Sequence, residues 1–171
     1  NVVKYKDLIV INGMYHIGNN NLFTGEIKGK VQGKFHNGKK VGKFYKYYKN
    51  GQLLSKIDFN HNILNGEWVE FYRNGNLLCK KNYKNNQLNG QYIDYYSFGQ
   101  VLSIRNYKKN KLEGIYLKFY KNGQLEFKKN YKNNILEGDF ITYHEYEVNE
   151  IIQIKSKKTY KNGKLQGKYI E

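Results

Sequence analysis

An internal repeat with a period of about 24 residues runs through most of this chain and constrains its fold more than any other feature. The period is marked by five equally spaced glycines, Gly42, Gly66, Gly90, Gly114 and Gly138. A fixed period of about 20 to 50 residues is typical of repeat architectures, in which each unit buries its apolar side chains against its neighbours. The period therefore predicts a single repeat domain over residues 1–171 rather than a globule with a central core.

Each unit contains two turn sequences. The first follows a tyrosine and ends in glycine, so that Tyr48, Tyr72, Tyr96 and Tyr120 precede residues 49–51, 73–75, 97–99 and 121–123. The second lies half a unit further on and runs into a Leu-x-Gly sequence, as residues 83–86 do before Leu88. Asn-Gly between two strand-forming runs favours a type I′ hairpin, because both residues accept positive φ. We therefore expect two strands in each unit.

The composition favours strands over helices. Aromatic residues make up 16% of the chain, and alanine and proline are both absent. Tyrosine, phenylalanine, isoleucine and valine all prefer strands, and the strong helix formers are few. These features predict an all-β fold with little or no helix. They fit an elongated, single-layer ribbon of consecutive antiparallel β-hairpins, with about 24 residues in each two-strand unit.

Alternation along the first strand of each unit separates two faces of the predicted sheet. One face carries apolar side chains throughout and is expected to be the better apolar stripe: Tyr45, Tyr47, Val69, Phe71, Ile93, Tyr95, Leu117, Phe119, Ile141 and Tyr143. The opposite face alternates aromatic with polar residues and is expected to be wetter: Phe44, Trp68, Tyr92, Tyr116 and Phe140 alternate with Lys46, Glu70, Asp94, Lys118 and Thr142.

The period breaks at both ends of the array. Gly25 precedes Gly42 by only 17 residues, which predicts a truncated unit lacking one turn, with residues 1–24 as an N-terminal cap or divergent unit. Residues 25–138 then form the repeats, and residues 139–171 a divergent last unit. This last unit contains an insertion around residues 144–150, the only local acidic cluster in the chain. The insertion is either a partner-binding loop or a longer hairpin, since insertions in repeat arrays map to loops.

A family resemblance rests on these same repeats. Residues 37–53, which read NGKKVGKFYKYYKNGQL, resemble the MORN repeat, and the recurring Tyr-x-Asn-Gly-x-Leu pattern is similar to the bacterial MORN variant of the YwqK family. The resemblance implies ribbons of antiparallel hairpins that act as scaffolds or as protein-binding or lipid-binding modules, often labelled antitoxins. The chain departs from the motif at residues 97–99, where phenylalanine replaces asparagine, and at the acidic insertion.

The residues that catalysis would require are scattered. His16, His36, His61 and His144 have no metal-ligand spacing, and Cys79 lies within a predicted strand without a motif around it. Glu70 and Asp94 occupy equivalent positions and could form an acid/base pair. Because Lys46 and Lys118 occupy the same series, a Lys-Glu-Asp-Lys charge ladder is the simpler interpretation. We therefore expect no catalytic site, cofactor or metal.

Binding is the better-supported function, because the chain carries a formal net charge of +16. Cations recur at equivalent turns, so they predict two basic rims: Lys49, Arg73 and Lys121 on one, and Lys84, Lys108, Lys109, Lys132 and Lys161 on the other. The candidate partner-binding residues are Lys49, Arg73, Lys121, Tyr48, Tyr72, Tyr96, Tyr120, Trp68, Tyr92, Tyr116, His144, Glu145 and Glu147. A structural interpretation stays open, in which the tyrosines brace the turns and the lysines keep open sheet edges soluble.

These features together predict a non-catalytic scaffold that mediates protein–protein interaction, with an antitoxin-like, immunity-like or surface-associated role. An acidic surface on the partner would match the basic rims. The alternative is a binder of anionic lipid or nucleic acid through the same rims. An end-to-end homodimer is also open, since the terminal strands present unpaired backbone groups. The chain has no stretch near the ~20 apolar residues that span a bilayer, and both a cytoplasmic protein and an exported one without its signal peptide stay open.

Overall fold

The structure is a computed structural model that describes residues 1–18, 21–145 and 153–170. Within these residues the chain forms nineteen strands and one 3-10 turn, Tyr5–Asp7. The strands are β1 (Val2–Lys4), β2 (Ile9–Ile11), β3 (Met14–Ile17), β4 (Asn21–Leu22), β5 (Gly25–Lys28), β6 (Val31–His36), β7 (Lys39–Tyr47), β8 (Leu53–Asn60), β9 (Ile63–Phe71), β10 (Leu77–Lys84), β11 (Gln87–Tyr95), β12 (Val101–Lys108), β13 (Lys111–Leu112), β14 (Gly114–Phe119), β15 (Leu125–Lys132), β16 (Ile135–Leu136), β17 (Gly138–Tyr143), β18 (Ile154–Lys161) and β19 (Lys164–Ile170).

One long sheet contains sixteen of these strands. Its order is β1-β5-β6-β7-β8-β9-β10-β11-β12-β14-β15-β17-β18-β19, with β13 paired to β12 and β16 paired to β15. Each hairpin therefore lies beside the next one in the chain, and only β1 runs parallel to its neighbour, β5. Strands β2, β3 and β4 form a small separate sheet. The predicted all-β ribbon of consecutive antiparallel hairpins is confirmed.

The two kinds of turn differ in backbone conformation. In the first kind only the glycine has positive φ, as at Gly51 (87°) and Gly75 (90°). In the second kind both central residues do, as at Asn85 (51°) and Asn86 (61°). The type I′ prediction is therefore wrong for the turns that follow the tyrosines and applies to the second turns instead. The first turns are longer loops stabilised within themselves, as where the Gln52 amide donates to the Asn50 side-chain oxygen at 3.2 Å.

The period of the repeat glycines has a backbone cause. All five have positive φ, from 71° at Gly42 to 123° at Gly66. A Cβ atom added at Gly66 would also lie 2.9 Å from the Cβ of Asp58 on the adjacent strand. Glycine is the residue that adopts this conformation without steric cost, which is why a glycine recurs once in each unit.

Asparagine side chains join each unit to the one before it. The second asparagine of each second turn donates its backbone N–H to a carbonyl 22 residues earlier and accepts that residue's N–H on its side-chain oxygen. In one example, the N–H of Asn86 lies 2.9 Å from the Leu64 oxygen, and the Leu64 N–H lies 2.7 Å from Asn86 Oδ1. The same pair of bonds joins Asn62 to Lys40, Asn110 to Leu88 and Asn134 to Leu112.

Tyrosine hydroxyls make the corresponding connection at the opposite ends of the strands, next to the first turns. The hydroxyl of Tyr48 donates to the Phe71 carbonyl at 2.7 Å, and that of Tyr72 donates to the Tyr95 carbonyl at 2.9 Å. Tyr96 and Tyr120 make equivalent bonds to Phe119 and Tyr143. Both long sides of the ribbon are thus bonded from unit to unit, which confirms that these tyrosines brace the turns.

The most buried side chains lie on the face of the sheet that was expected to be wetter. Phe44 is 4% exposed and belongs to a cluster with Phe23, Ile27 and Phe35. The prediction is wrong at this end of the sheet, because the N-terminal segment covers the face there, and Tyr15 packs against Phe35 with ring centroids 4.8 Å apart. The Lys40 ammonium joins the two layers, since it lies 5.0 to 5.9 Å from the ring centroids of Tyr5, Tyr15, Phe44 and Phe59.

The short unit between Gly25 and Gly42 keeps both of its turns. A bend at Gly29 connects β5 to β6, and a tight turn at Asn37 and Gly38 connects β6 to β7. The expected loss of a turn is therefore wrong, because the shortening removes residues from β5 and from the first turn. The three-stranded sheet attaches at the second turn, where Tyr15 N–H donates to the Gly38 carbonyl at 2.9 Å.

Removing the hydroxyl that connects two units should weaken the array. We expect Tyr72→Phe to lower the free energy of unfolding by about 1 kcal/mol, since it removes one internal hydrogen bond and leaves the Tyr95 carbonyl without that donor. Urea denaturation followed by circular dichroism measures the change. The matched control is Tyr45→Phe, since the Tyr45 hydroxyl bonds no described residue. Equal losses in the two variants would contradict the bracing role.

Candidate binding surfaces

The predicted basic rims lie along the two long sides of the ribbon, where the strands end. One side carries the turns of the first kind, and the other side carries those of the second kind. We call the side with Lys49, Arg73 and Lys121 the first rim, and all three side chains are exposed. The second rim carries the exposed side chains of Lys84, Lys108, Lys109, Lys132 and Lys161. Equivalent turns are two strands apart, so cations of consecutive turns are spaced by about 10 Å, whereas Arg73 and Lys121, whose intervening turn carries Ser97, are about 20 Å apart. No rim cation forms an ion pair with a residue that the structure describes.

The tyrosines of the first rim are half-buried beside these cations. Their hydroxyls are used in bonds between units, so they offer ring surfaces rather than polar groups to a partner. The Arg73 guanidinium lies 5.8 Å from the centroid of the Tyr48 ring. Tyr48 and Arg73 also line a cleft of about 540 Å³ together with Lys49 and Leu54.

An exposed phenylalanine interrupts the first rim. Phe98 is 54% exposed and stacks on the ring of Tyr96, with centroids 5.2 Å apart and planes 8° from parallel. The equivalent residues of the other three units are asparagines whose side chains stabilise their own turns: Asn50, Asn74 and Asn122. Phe98 cannot do this. The sequence showed the departure at this turn, but the prediction of binding residues did not include it.

Trp68, Tyr92 and Tyr116 belong to a row that crosses one face of the sheet. Sequence analysis missed the cations between them: Lys81 is paired in register with Trp68 and with Tyr92, and Arg105 is paired with Tyr92. Tyr116 is likewise in register with Lys129. Each cation follows its aromatic partner at one constant interval in the sequence, from 68 to 81, from 92 to 105 and from 116 to 129. That interval was a signal that sequence analysis could have used.

The cations of this row stack on the aromatic rings. The Lys81 ammonium lies 4.5 Å from the centroid of Trp68 and 5.4 Å from that of Tyr92. The Arg105 guanidinium lies 4.2 Å from Tyr92. The Lys129 ammonium lies 4.3 Å from Phe127 and 4.4 Å from Phe140. Such cation–π contacts strengthen when the cation is partly desolvated, and all three cations are half-buried.

Carboxylates neutralise the first two cations of the row. Lys81 lies 3.8 Å from Glu70, which also accepts a hydrogen bond of 2.6 Å from the Trp68 indole. Arg105 pairs with Asp94. The predicted Lys-Glu-Asp-Lys ladder is therefore wrong. Small buried residues on the intervening strands separate its members, as where Cys79 lies between Glu70 and Asp94, so each acid pairs with a cation of the aromatic row instead.

Acidic side chains are used inside the protein throughout the repeats. Every acid from Asp7 to Asp139 forms an ion pair or accepts a hydrogen bond: Asp7, Glu26, Asp58, Glu67, Glu70, Asp94, Glu113, Glu126, Glu137 and Asp139. Glu67 bridges two lysines, and these bonds lower the pKa of its carboxyl group. Exposed cations are therefore left without an ion pair to a described residue, and the rim side chains are among them.

The acidic insertion is only partly described. His144 and Glu145 are exposed, and the N–H of His144 donates to the Gln153 carbonyl at 3.1 Å. Burial, with smaller effects of Glu126 and Glu145, raises the pKa of Tyr120 on the first rim. Glu147 lies outside the described residues.

The residues considered for catalysis do not form a site. Cys79 is 1% exposed, and its burial raises the pKa of the thiol. His36 and His61 are exposed at turns. Within the described ranges, no three His, Cys, Asp or Glu side chains are grouped so that they could hold a metal ion. No helix in the same ranges is long and apolar enough to cross a membrane.

Sequence comparison identifies the family. The model of the MORN repeat variant matches four consecutive segments, residues 40–61, 64–85, 88–109 and 112–133. The chain therefore belongs to the MORN repeat variant family. Such repeats form scaffolds that typically bind proteins or membranes, and the family is generally non-enzymatic. No curated protein sequence matches the chain.

Several solved chains match this one. One of them comes from a structure described as the crystal structure of the GtfA/B complex bound to UDP and GlcNAc. The two chains are 12% identical, the TM-score is 0.25, and the match covers 81% of this chain and 24% of the other.

The aromatic row should affect stability at high pH. Burial, reinforced by the charge of Asp94, raises the pKa of Tyr92 from 10.0 to about 12. Because the folded state holds this phenolic proton more tightly than the unfolded state, the stabilisation is present below pH 10 and is lost as the pH rises toward 12. Thermal unfolding from pH 9 to 12 should therefore show a smaller decrease in Tm for Tyr92→Phe than for the wild type. Parallel profiles would contradict the assignment.

Proposed function

We propose that this protein is a non-catalytic repeat scaffold that binds an acidic surface of a partner protein along its first rim. Neutralisation of a toxin is one form that such binding can take, and assembly of surface components is another. The observation that carries the proposal is the separation of charge. The acids of the repeats are used in internal bonds, whereas the rim cations are exposed and free of ion pairs with described residues.

The first rim is favoured over the second because it also offers an apolar anchor. Phe98 lies between the turns that carry Arg73 and Lys121, and its ring is exposed on top of Tyr96. Aromatic residues and arginine dominate the binding energy of protein interfaces. A cationic rim with a central exposed aromatic ring therefore fits an acidic protein surface that contains an apolar pocket.

The second rim supports a second candidate function, the binding of an anionic lipid surface or a nucleic acid. Its cations follow one another along an edge without an equivalent exposed aromatic at the turn tips. Attraction of this kind depends on charge alone and should weaken steeply with salt. An acidic protein held by a central aromatic anchor should lose less affinity as the salt concentration rises.

Charge reversal on either rim separates the two functions. The variant K49E/R73E/K121E and the matched control K84E/K108E/K132E change the net charge equally. Immobilised wild type and variants are incubated with lysate of the native organism, and the captured proteins are identified by mass spectrometry. We expect an acidic protein that the wild type and the second-rim variant retain and the first-rim variant loses. Equal loss in both variants would contradict the first rim as the binding surface.

The lipid and nucleic-acid function is tested with the same proteins. Vesicles containing phosphatidylserine, and a single-stranded oligonucleotide, are titrated at increasing NaCl concentrations. Strong binding that the second-rim variant loses and the first-rim variant keeps would favour the second function over the first.

Restoring asparagine at position 98 should reduce partner binding without loss of stability. Phe98→Asn recreates the turn chemistry of the other units, in which the asparagine side chain accepts an N–H two residues ahead. Loss of a central aromatic contact costs at least about tenfold in affinity at a typical hot spot. Calorimetric titration with the captured partner, alongside thermal unfolding, measures both quantities. Unchanged affinity would exclude Phe98 as the anchor.

A further inference from the structure

The row of aromatic residues and cations changes in the unit that begins at Gly114, which is the fourth unit when the count starts from the unit at Gly42. Lys81 and Arg105 each have a carboxylate on the same face, from Glu70 and Asp94. Lys129 is the equivalent cation of the next unit, but the residue at the position equivalent to those acids is Lys118. The repeat therefore places a second cation where the two preceding units place an anion.

Glu126, an acid on the same strand as Lys129, does not supply the missing ion pair, because it is paired with Lys118 at 2.8 Å. Lys129 forms no ion pair within 4.0 Å with a residue that the structure describes. It is half-buried between two rings, and burial, together with the charge of Lys118, lowers the pKa of its ammonium group, although a smaller effect of the charge of Glu126 opposes this shift. A half-buried cation without a carboxylate is costly, so this position favours an anion from outside.

Phe127 makes the surroundings of Lys129 differ from those of Lys81 and Arg105. The equivalent residues of the two preceding units are small and buried, Cys79 and Ser103. Phe127 instead packs edge-on against Tyr116 and Phe140, with centroids 5.1 and 6.0 Å away. We call the group of Tyr116, Lys118, Phe127, Lys129 and Phe140 the Lys129 site.

We propose that the Lys129 site binds a carboxylate side chain of the acidic partner protein. The inference rests on the proposed function and adds a contact on the face of the sheet, away from the rim. A carboxylate is favoured over other anions because the chain itself uses one in the same place twice, on Lys81 and on Arg105. The partner would complete in the fourth unit the ion pair that the second and third units make internally.

The test uses full-length protein and a fluorescein-labelled hexaglutamate peptide as the probe, with affinity measured by fluorescence anisotropy. Lys129→Met should weaken binding about tenfold, as expected for the loss of a charge-assisted hydrogen bond. Lys128→Met is the matched control, because the exposed Lys128 lies one residue away on the opposite face of the sheet. It should change the affinity less than twofold.

A charge swap tests the same site without changing the net charge. K118E/E126K keeps an ion pair between the two positions and places an acid where Glu70 and Asp94 lie in the other units. This internal carboxylate should pair with Lys129 as well as with the introduced lysine, as Glu67 pairs with two lysines, and should lower hexaglutamate affinity about as much as Lys129→Met does. Unchanged affinity in the swap variant, or equal losses in Lys128→Met and Lys129→Met, would overturn the proposal.

Competition experiments identify the chemistry of the anion. Glutarate should displace the peptide more effectively than inorganic phosphate at the same ionic strength. Stronger displacement by phosphate would overturn the assignment of a carboxylate. The rim variants report separately on the proposed function: if K49E/R73E/K121E loses the partner while Lys129→Met and Lys128→Met bind the peptide equally, the proposed function stands and this inference fails.

Discussion

At four successive turns of this protein, an asparagine side chain that imitates a peptide group holds one unit to the unit before it. At Asn86 the backbone N–H and the side-chain oxygen both bond Leu64, so one residue supplies the donor and the acceptor that a neighbouring strand would otherwise provide. Its positive φ of 61° allows this geometry within a two-residue turn. Because the same pair of bonds recurs in successive units, the register of one hairpin on the next is the same throughout the repeats.

That register determines which side chains meet across the sheet. Since the side-chain period of a strand is two, a slip of one residue would exchange the faces and separate Trp68 from Lys81. With the register held, aromatic rings and cations alternate along one face, and Glu70 and Asp94 neutralise the first two cations. Acids are thereby used inside the array, and surplus positive charge is left on the surface, where the rims carry part of it. The fold and the charge of the surface are therefore consequences of the same connection between units.

Local repetition was enough to predict the ribbon, because the repeat glycines and the turn residues determine the backbone conformation of the few residues around them. The faces could not be assigned in this way. Phe44 is buried because the N-terminal segment folds over it, and no residue near Phe44 in the sequence indicates that contact. The partners of Glu70 and Asp94 were also missed, since each lies on the neighbouring strand, beyond an intervening turn, from 70 to 81 and from 94 to 105. Residues that depart from the repeat, such as Phe98, were visible in the sequence, but their exposure depends on the geometry of the turn.

Hydrogen–deuterium exchange of the free protein tests the asparagine connection most directly. The amides of Leu64, Leu88 and Leu112 lie next to exposed turns, where exchange is ordinarily fast, yet each donates to an asparagine side chain of the following unit at 2.6 to 2.7 Å. The account predicts that these amides exchange as slowly as those in the middle of the strands. Exchange as fast as that of the turn amide of Asn74 would contradict it.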